Sequence, residues 1–143
     1  YLCAYVPQDG LSLAQMRKLA PRQPLMPAVR IAQDGTSFTV DPTMAPDVFY
    51  QDCPNEAIAF CLQNLCPQVV APTNVPLTVT ARSTNLPRHY IRCLADHTIP
   101  PEFQITMTSD WPAHHVQDME CGHSPFFADP AGLAERLHSA LQG

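Results

Sequence analysis

The chain has 143 residues, 45% hydrophobic and 15% charged, a balance that fits one globular domain and excludes a disordered polymer. Its formal net charge of -5 provides no basic stripe to neutralise phosphates, so nucleic acid is not an expected partner. No apolar run reaches the roughly 18 residues of a membrane span, and no charged segment precedes an apolar one at the start, so the reading is a cytoplasmic protein with no membrane partner.

In chain order, Tyr1–Val6 reads as a short buried strand. A native chain seldom begins inside such a strand, which needs neighbours on both sides, so sequence before Tyr1 is expected to be missing. Pro7-Gln8-Asp9-Gly10 signals a turn, and Leu11 to Leu19 predicts a short helix capped by Ser12 and ended by Pro21, Pro24 and Pro27. Val29–Ile31 and Thr36–Val40 flank Asp34-Gly35 as a small hairpin. From Asp52 to Leu65 a helix is expected, with Pro54 in its first turn and Ala57, Ile58, Cys61, Leu62 and Leu65 on one face. Residues 7–76 thus read as a proline-rich, helical excursion rather than a layer of the main sheet; the chain has 16 prolines, concentrated between Pro7 and Pro112.

The last third has a different texture. His89–Leu94 reads as a strand, Pro101–Ser109 as a helix, Val116–Cys121 as a strand, and Asp129–Leu141 as a helix. In the last of these Asp129 is the N-cap, Pro130 is N1, and Leu133, Ala134, Leu137 and Leu141 form the apolar stripe. Strand, helix, strand, helix with short links implies parallel strands joined by crossover helices, an α/β architecture. The six cysteines sit in apolar runs rather than in a turn-rich frame, and read as buried free thiols of a reducing compartment.

In open parallel sheets, reactive groups collect beyond the carboxyl ends of the strands. Asp96 follows one such strand and His123 the next. A buried carboxylate that accepts the Nδ1–H of an imidazole fixes its tautomer and stabilises the imidazolium. An aspartate in this place also serves as a turn or cap residue, and spacing does not choose between the two. His114 and His115, near Cys121 and His123, preset no pair of metal ligands on one element, so no metal site is expected. His89, His97 and His138 read as surface or packing residues, and Trp111 as a residue that ends a helix and packs. Cys53 and Cys61 lack an evident histidine partner and read as packing.

Three stretches carry a family resemblance. Pro87-Arg88-His89-Tyr90-Ile91-Arg92-Cys93-Leu94-Ala95-Asp96-His97-Thr98-Ile99-Pro100-Pro101-Glu102-Phe103-Gln104 resembles the acid-bearing segment of the α/β-hydrolase group that contains plant methylesterases, hydroxynitrile lyases and their bacterial esterase relatives. Cys121 to Pro130 resembles the histidine loop of that group, and Tyr1 to Gly10 the strand and turn that follow its nucleophile helix. The resemblance implies the C-terminal half of an α/β-hydrolase: residues 1–6 a core strand, 7–76 the cap, and 77–143 the rest of the core. It implies Asp96 and His123 as the acid and base of a Ser-His-Asp triad, a small apolar ester as substrate, and no metal or organic cofactor.

The family's nucleophile lies in a G-x-S-x-G elbow, which this sequence lacks. Gly122-His123-Ser124-Pro125-Phe126 imitates its start, but Pro125 has no N–H for an oxyanion hole, so Ser124 reads as a loop residue. The serine is expected in a missing N-terminal half of the same protein, and this chain alone is expected to be inactive. Met44, Phe49, Tyr50 and Phe60 are candidate pocket residues, with cap core as their other reading. Two further functions stay open: a hydroxynitrile lyase, and a non-catalytic small-ligand receptor on the hydrolase fold. In the family's lyases a lysine follows the catalytic histidine; here that position is Ser124, which favours the esterase.

Overall fold

The structure, a computed structural model, describes residues 1–142. Its centre is a parallel pair of strands, β4 (Tyr90–Cys93) and β5 (Val116–Met119), in the register Tyr90↔Val116 to Cys93↔Met119. The helix α6 (Pro101–Met107) lies between them in sequence and packs on β4, and α8 (Pro130–Gln142) packs on β5. Tyr90, Ile91 and Cys93 are all buried, as in a strand covered on both faces, and only Arg92 between them is partly exposed. One core cluster gathers Cys3, Ile91, Cys93, Met119, Cys121 and Leu133, and a second gathers Ala20, Ile99 and Phe103. Arg92 and Asp118 face each other across the pair in a two-pronged ion pair at 2.6 and 2.9 Å.

The opening segment is less regular than its composition predicts. Leu2 forms one parallel bridge to Ile91, flanked by hydrogen bonds from Cys3 N–H to the Ile91 carbonyl and from Ile91 N–H to that of Tyr1. Cys3 then takes φ 32°, a left-handed conformation that β geometry does not accommodate. It ends the pairing after a single bridge.

Residues before β4 form their own elements. The helix α1 (Leu13–Lys18) begins at Ser12, whose hydroxyl and the Gln15 side chain make a reciprocal capping box. The strands β1 (Val29–Ile31) and β2 (Ser37–Val40) pair antiparallel, with Gly35 at φ 71° in the connecting turn. Two short helices follow, α2 (Ala45–Phe49) and α3 (Asn55–Asn64); Pro54 stands at the α3 N-cap, so that helix starts three residues later than expected. The helical, proline-rich excursion carries the expected hairpin and one strand beyond it: β3 (Gln68–Val69) adds to β2 and completes a three-stranded antiparallel sheet. Two residues make too short a run for periodicity to reveal. Two single-turn helices, α4 (Ala71–Asn74) and α5 (Ala81–Thr84), lead back to β4.

At the other end, α7 (Pro125–Ala128) is a single turn before α8. Asp129 caps α8 as expected, its Oδ1 accepting the Gly132 N–H at 2.9 Å. The apolar stripe of α8 is covered at one place only. Leu133 is buried, while Leu137 and Leu141 are 49% and 88% exposed, because the described residues that meet this helix, β5 and α7, lie beside its first half. Five cysteines are buried free thiols; Cys66 is exposed, contrary to the reading of all six as core. No helix among the described residues is long and apolar enough to cross a membrane.

Candidate active site

The loop after β4 leaves the sheet in a fixed direction, because Leu94 and Ala95 continue the ladder with N–H bonds to the carbonyls of Met119 and Cys121. Asp96 follows and is 2% exposed. Its Oδ1 accepts the Thr98 and Ile99 N–H groups at 2.6 and 2.9 Å, an Asx turn that closes the loop over its own side chain. Its Oδ2 accepts the Gln104 amide at 2.9 Å and stands 2.9 Å from His123 Nδ1. Four donors on two oxygens satisfy a carboxylate completely.

His123 sits beyond the carboxyl end of β5, on a loop held at three successive residues. Asp52 Oδ2 accepts the Gly122 N–H at 2.6 Å, Cys3 Sγ donates to the His123 carbonyl at 3.4 Å, and Cys53 Sγ donates to the Ser124 carbonyl at 3.8 Å. Gly122 leaves room for two side chains rather than for an unusual φ: a Cβ there would meet the Gln51 amide and the Asp52 carboxylate and make both shift. Nδ1 bonded to Asp96 leaves Nε2 as the reactive nitrogen, and Nε2 makes no hydrogen bond with another described residue.

The segment from α2 to Cys53 bonds both loops. Gln51 Nε2 donates to the Ala95 carbonyl at 2.7 Å, Thr98 Oγ1 donates to the Val48 carbonyl at 2.6 Å, and Asp52 holds Gly122. The roof over the Asp96–His123 pair is therefore hydrogen-bonded to the floor. Between them lies a cavity of about 510 Å³ that His123, Phe49, Thr98 and Ile99 line at one side. A smaller one of about 390 Å³, beside Cys3, Tyr5 and Phe126, also reaches His123.

Of the four candidate pocket residues only Phe49 lines the larger cavity, its ring 5.7 Å from that of His123. Tyr50 is buried with Cys53 and Cys61, Phe60 is 58% exposed against Phe127, and the Met44 sulfur meets Arg30. Aromatic composition could not separate them, since the turn of α2 decides which neighbour faces the cavity. Ser124 is buried at the start of α7, its carbonyl accepting the Phe127 and Ala128 N–H groups, with Pro125 behind it. Trp111 packs against Tyr1 and Tyr90 under the Arg88 guanidinium, and His89, His114 and His115 stack at the opposite end of β4 and β5 from Asp96.

Cys3, Asp96 and His123 bring potential ligand atoms within 4.8 Å of one another. Their bonding suits an oriented imidazole better than a cation, because a metal would have to displace donors already seated on both Asp96 oxygens. Nor do the nearby thiols suit nucleophilic roles. Burial pushes the Cys53 thiol up to about 11. Cys93 is raised by its hydrogen bond with Cys3 and by burial, and Cys121 by burial and the neighbouring Cys93.

Gln104, Gln51 and Asp52 escape sequence reasoning.

Known proteins bear on this arrangement. No family model matches the chain. It is 44% identical over 45 residues to methylesterase 17 of Arabidopsis thaliana, covering 32% of this chain and 16% of that protein. It is 30% identical over 92 residues to the pyrethroid hydrolase of Sphingobium wenxiniae, covering 64% of this chain and 33% of that one. A solved methylesterase from Arabidopsis superposes with TM-score 0.80 at 20% identity, over 99% of this chain and 57% of that one. The chain is a relative of the α/β-hydrolases. It spans a third or less of those two curated relatives and a little over half of the solved structure, and its short parallel strands match part of the α/β-hydrolase fold.

Proposed function

We propose that this chain carries the base and acid of a serine-type carboxylic ester hydrolase, with the nucleophile supplied by sequence outside these residues. The reading rests above all on the 2.9 Å contact between His123 Nδ1 and an Asp96 carboxylate already held by three other donors. In it, His123 Nε2 takes the proton of the serine hydroxyl as that oxygen attacks the ester carbonyl, and returns it to the departing alcohol. Asp96 orients the ring and stabilises the imidazolium between those two transfers. Water, activated by the same nitrogen, then releases the acid from the acyl-enzyme.

The division of labour along the chain follows. Residues 1–6 and 77–143 belong to the hydrolase core and 7–76 to its cap, whose Gln51 and Asp52 anchor it over the two loops. The largely apolar cavity wall suits a small ester.

One observation keeps a hydroxynitrile lyase in view: Arg17 lines the cavity and offers a cation where Ser124 does not. Lys18 is exposed, and Arg30 is engaged with Asp41 at 2.8 Å. The deciding experiment reads the coding sequence upstream of Tyr1 for a G-x-S-x-G and assays the full-length enzyme on 4-nitrophenyl butanoate and on mandelonitrile. Ester turnover lost in His123→Ala is the expected result; cyanide release without ester turnover overturns it.

A further inference from the structure

The larger cavity is lined by one permanently charged side chain, Arg17, and by no aspartate or glutamate. Arg17 lies in the last turn of α1, partly buried, and its guanidinium makes no hydrogen bond or ion pair with any described residue. Its backbone is well tied, the carbonyl accepting the Gln23 amide at 2.7 Å and the Ala20 N–H at 3.1 Å. Tyr5 lines the same cavity, its ring tilted against Phe103 at 6.1 Å. Its hydroxyl likewise finds no partner among the described residues. A guanidinium fork and a phenolic donor, unspent and facing one apolar space that reaches His123, form a receptor for a planar anion. Burial raises the Tyr5 phenol; the Arg17 charge opposes that and the Asp96 charge adds to it, so the hydroxyl keeps its proton for donation at neutral pH.

We propose that Arg17 and Tyr5 form a carboxylate subsite, so that the preferred ester carries one free carboxylate on the part that fills this cavity, as in a half-ester of a dicarboxylic acid. The assignment rests on the esterase reading for the word ester, but not for the anion. Elsewhere the wall is mostly apolar, and Leu25, Val29, Phe38 and Ile99 take the chain between the carboxylate and the ester. Desolvation by this wall strengthens the charged contact relative to water.

The test has two arms. In the first, hexanoate and its neutral counterpart hexanamide are titrated calorimetrically into the full-length protein and into its Arg17→Gln, Arg17→Lys and Tyr5→Phe variants. The expected result is an affinity for hexanoate about tenfold above that for hexanamide, the size of a charge-assisted pair. Arg17→Gln should erase the preference, Arg17→Lys keep part of it, and Tyr5→Phe reduce it. Equal affinity of the two compounds for the wild type, or no hexanoate binding, overturns the subsite whatever the variants do. In the second arm, the full-length enzyme is compared on 4-nitrophenyl hydrogen glutarate and 4-nitrophenyl butanoate. Arg17→Gln should lower kcat/KM on the first about tenfold more than on the second; an equal effect on both overturns the proposal. Hexanoate preference without ester turnover by the wild-type enzyme leaves the anion subsite standing and removes the esterase reading instead.

Discussion

Gln104 Nε2 donates to Asp96 Oδ2 at 2.9 Å, the same oxygen that stands 2.9 Å from His123 Nδ1. Gln104 is fully buried and spends its whole amide locally, for Nε2 also donates to the Ile99 carbonyl and Oε1 accepts the Cys93 N–H. One side chain thus joins the end of β4, the Asx turn and the carboxylate. Gln104→Leu keeps the volume and strips all three bonds, leaving a buried N–H and a partly unpaired carboxylate. A loss of about 2 to 4 kcal/mol in unfolding free energy is expected, read by urea titration. A loss below 0.5 kcal/mol would show that the network is not held from this residue.

Asp96→Asn changes the charge and the tautomer control of His123 while preserving shape. In full-length enzyme kcat should fall roughly 1,000- to 10,000-fold with KM nearly unchanged, the pattern of a group needed in the transition state. Ser124→Ala should change kcat less than about threefold, because its carbonyl and not its hydroxyl is engaged. A Ser124→Ala enzyme with no activity would transfer the nucleophile to this loop.

Gly122→Ala is expected to damage the site without touching either ring. The added methyl meets Gln51 and Asp52, which have to shift, and that movement disturbs the 2.6 Å bond from the Gly122 N–H to Asp52. Asp52→Asn weakens the same bond with no steric change. Both variants should lower kcat and should broaden or shift the His123 ring signals in NMR spectra. Unchanged ring signals in Gly122→Ala would mean that the clasp does not position the histidine.

The cysteines sort by burial. Of six, Cys66 alone is exposed, and the thiols of Cys53, Cys93 and Cys121 are raised. A neutral-pH thiol reagent should therefore modify Cys66 rapidly and the other five only on unfolding, with mass spectrometry reporting the position. Early labelling of Cys93 or Cys121 would contradict the packed core beneath His123.

An ion pair supplies a pH test. Arg22 clasps Glu102 at 2.5 and 2.9 Å, and that hydrogen bond, helped by the backbone N–H of Glu102 and then by the Arg22 charge, holds the Glu102 carboxyl below its ordinary 4.5. A lowered folded-state pKa gives stability present above the unfolded value and lost as pH falls through the folded one. Glu102→Gln should therefore lower the unfolding free energy at pH 7 by less than about 1 kcal/mol for so exposed a pair, read as a small drop in the thermal midpoint. At pH 2 it should have no effect. A deficit that persists at pH 2 would assign the loss to packing of α6.

Local chemistry was legible along the chain. Ser12 before α1, Asp34-Gly35 between β1 and β2, and Asp129-Pro130 at the start of α8 each act within four residues of themselves, through caps and turns that need no distant partner. The strand before Asp96 was readable too, from the apolar Tyr90, Ile91 and Cys93 around Arg92. The meeting of Asp96 and His123 at 2.9 Å and the choice of Gln104 as the third holder of Asp96 were settled by tertiary packing. So were the grip of Asp52 on Gly122, 70 residues away, and the orientation of Phe49 rather than Tyr50 toward the cavity. The addition of β3 to β2 belongs with them. Each depends on which surfaces become adjacent once the chain closes, and a hydrogen bond between remote residues leaves no period or spacing in the sequence by which to find it.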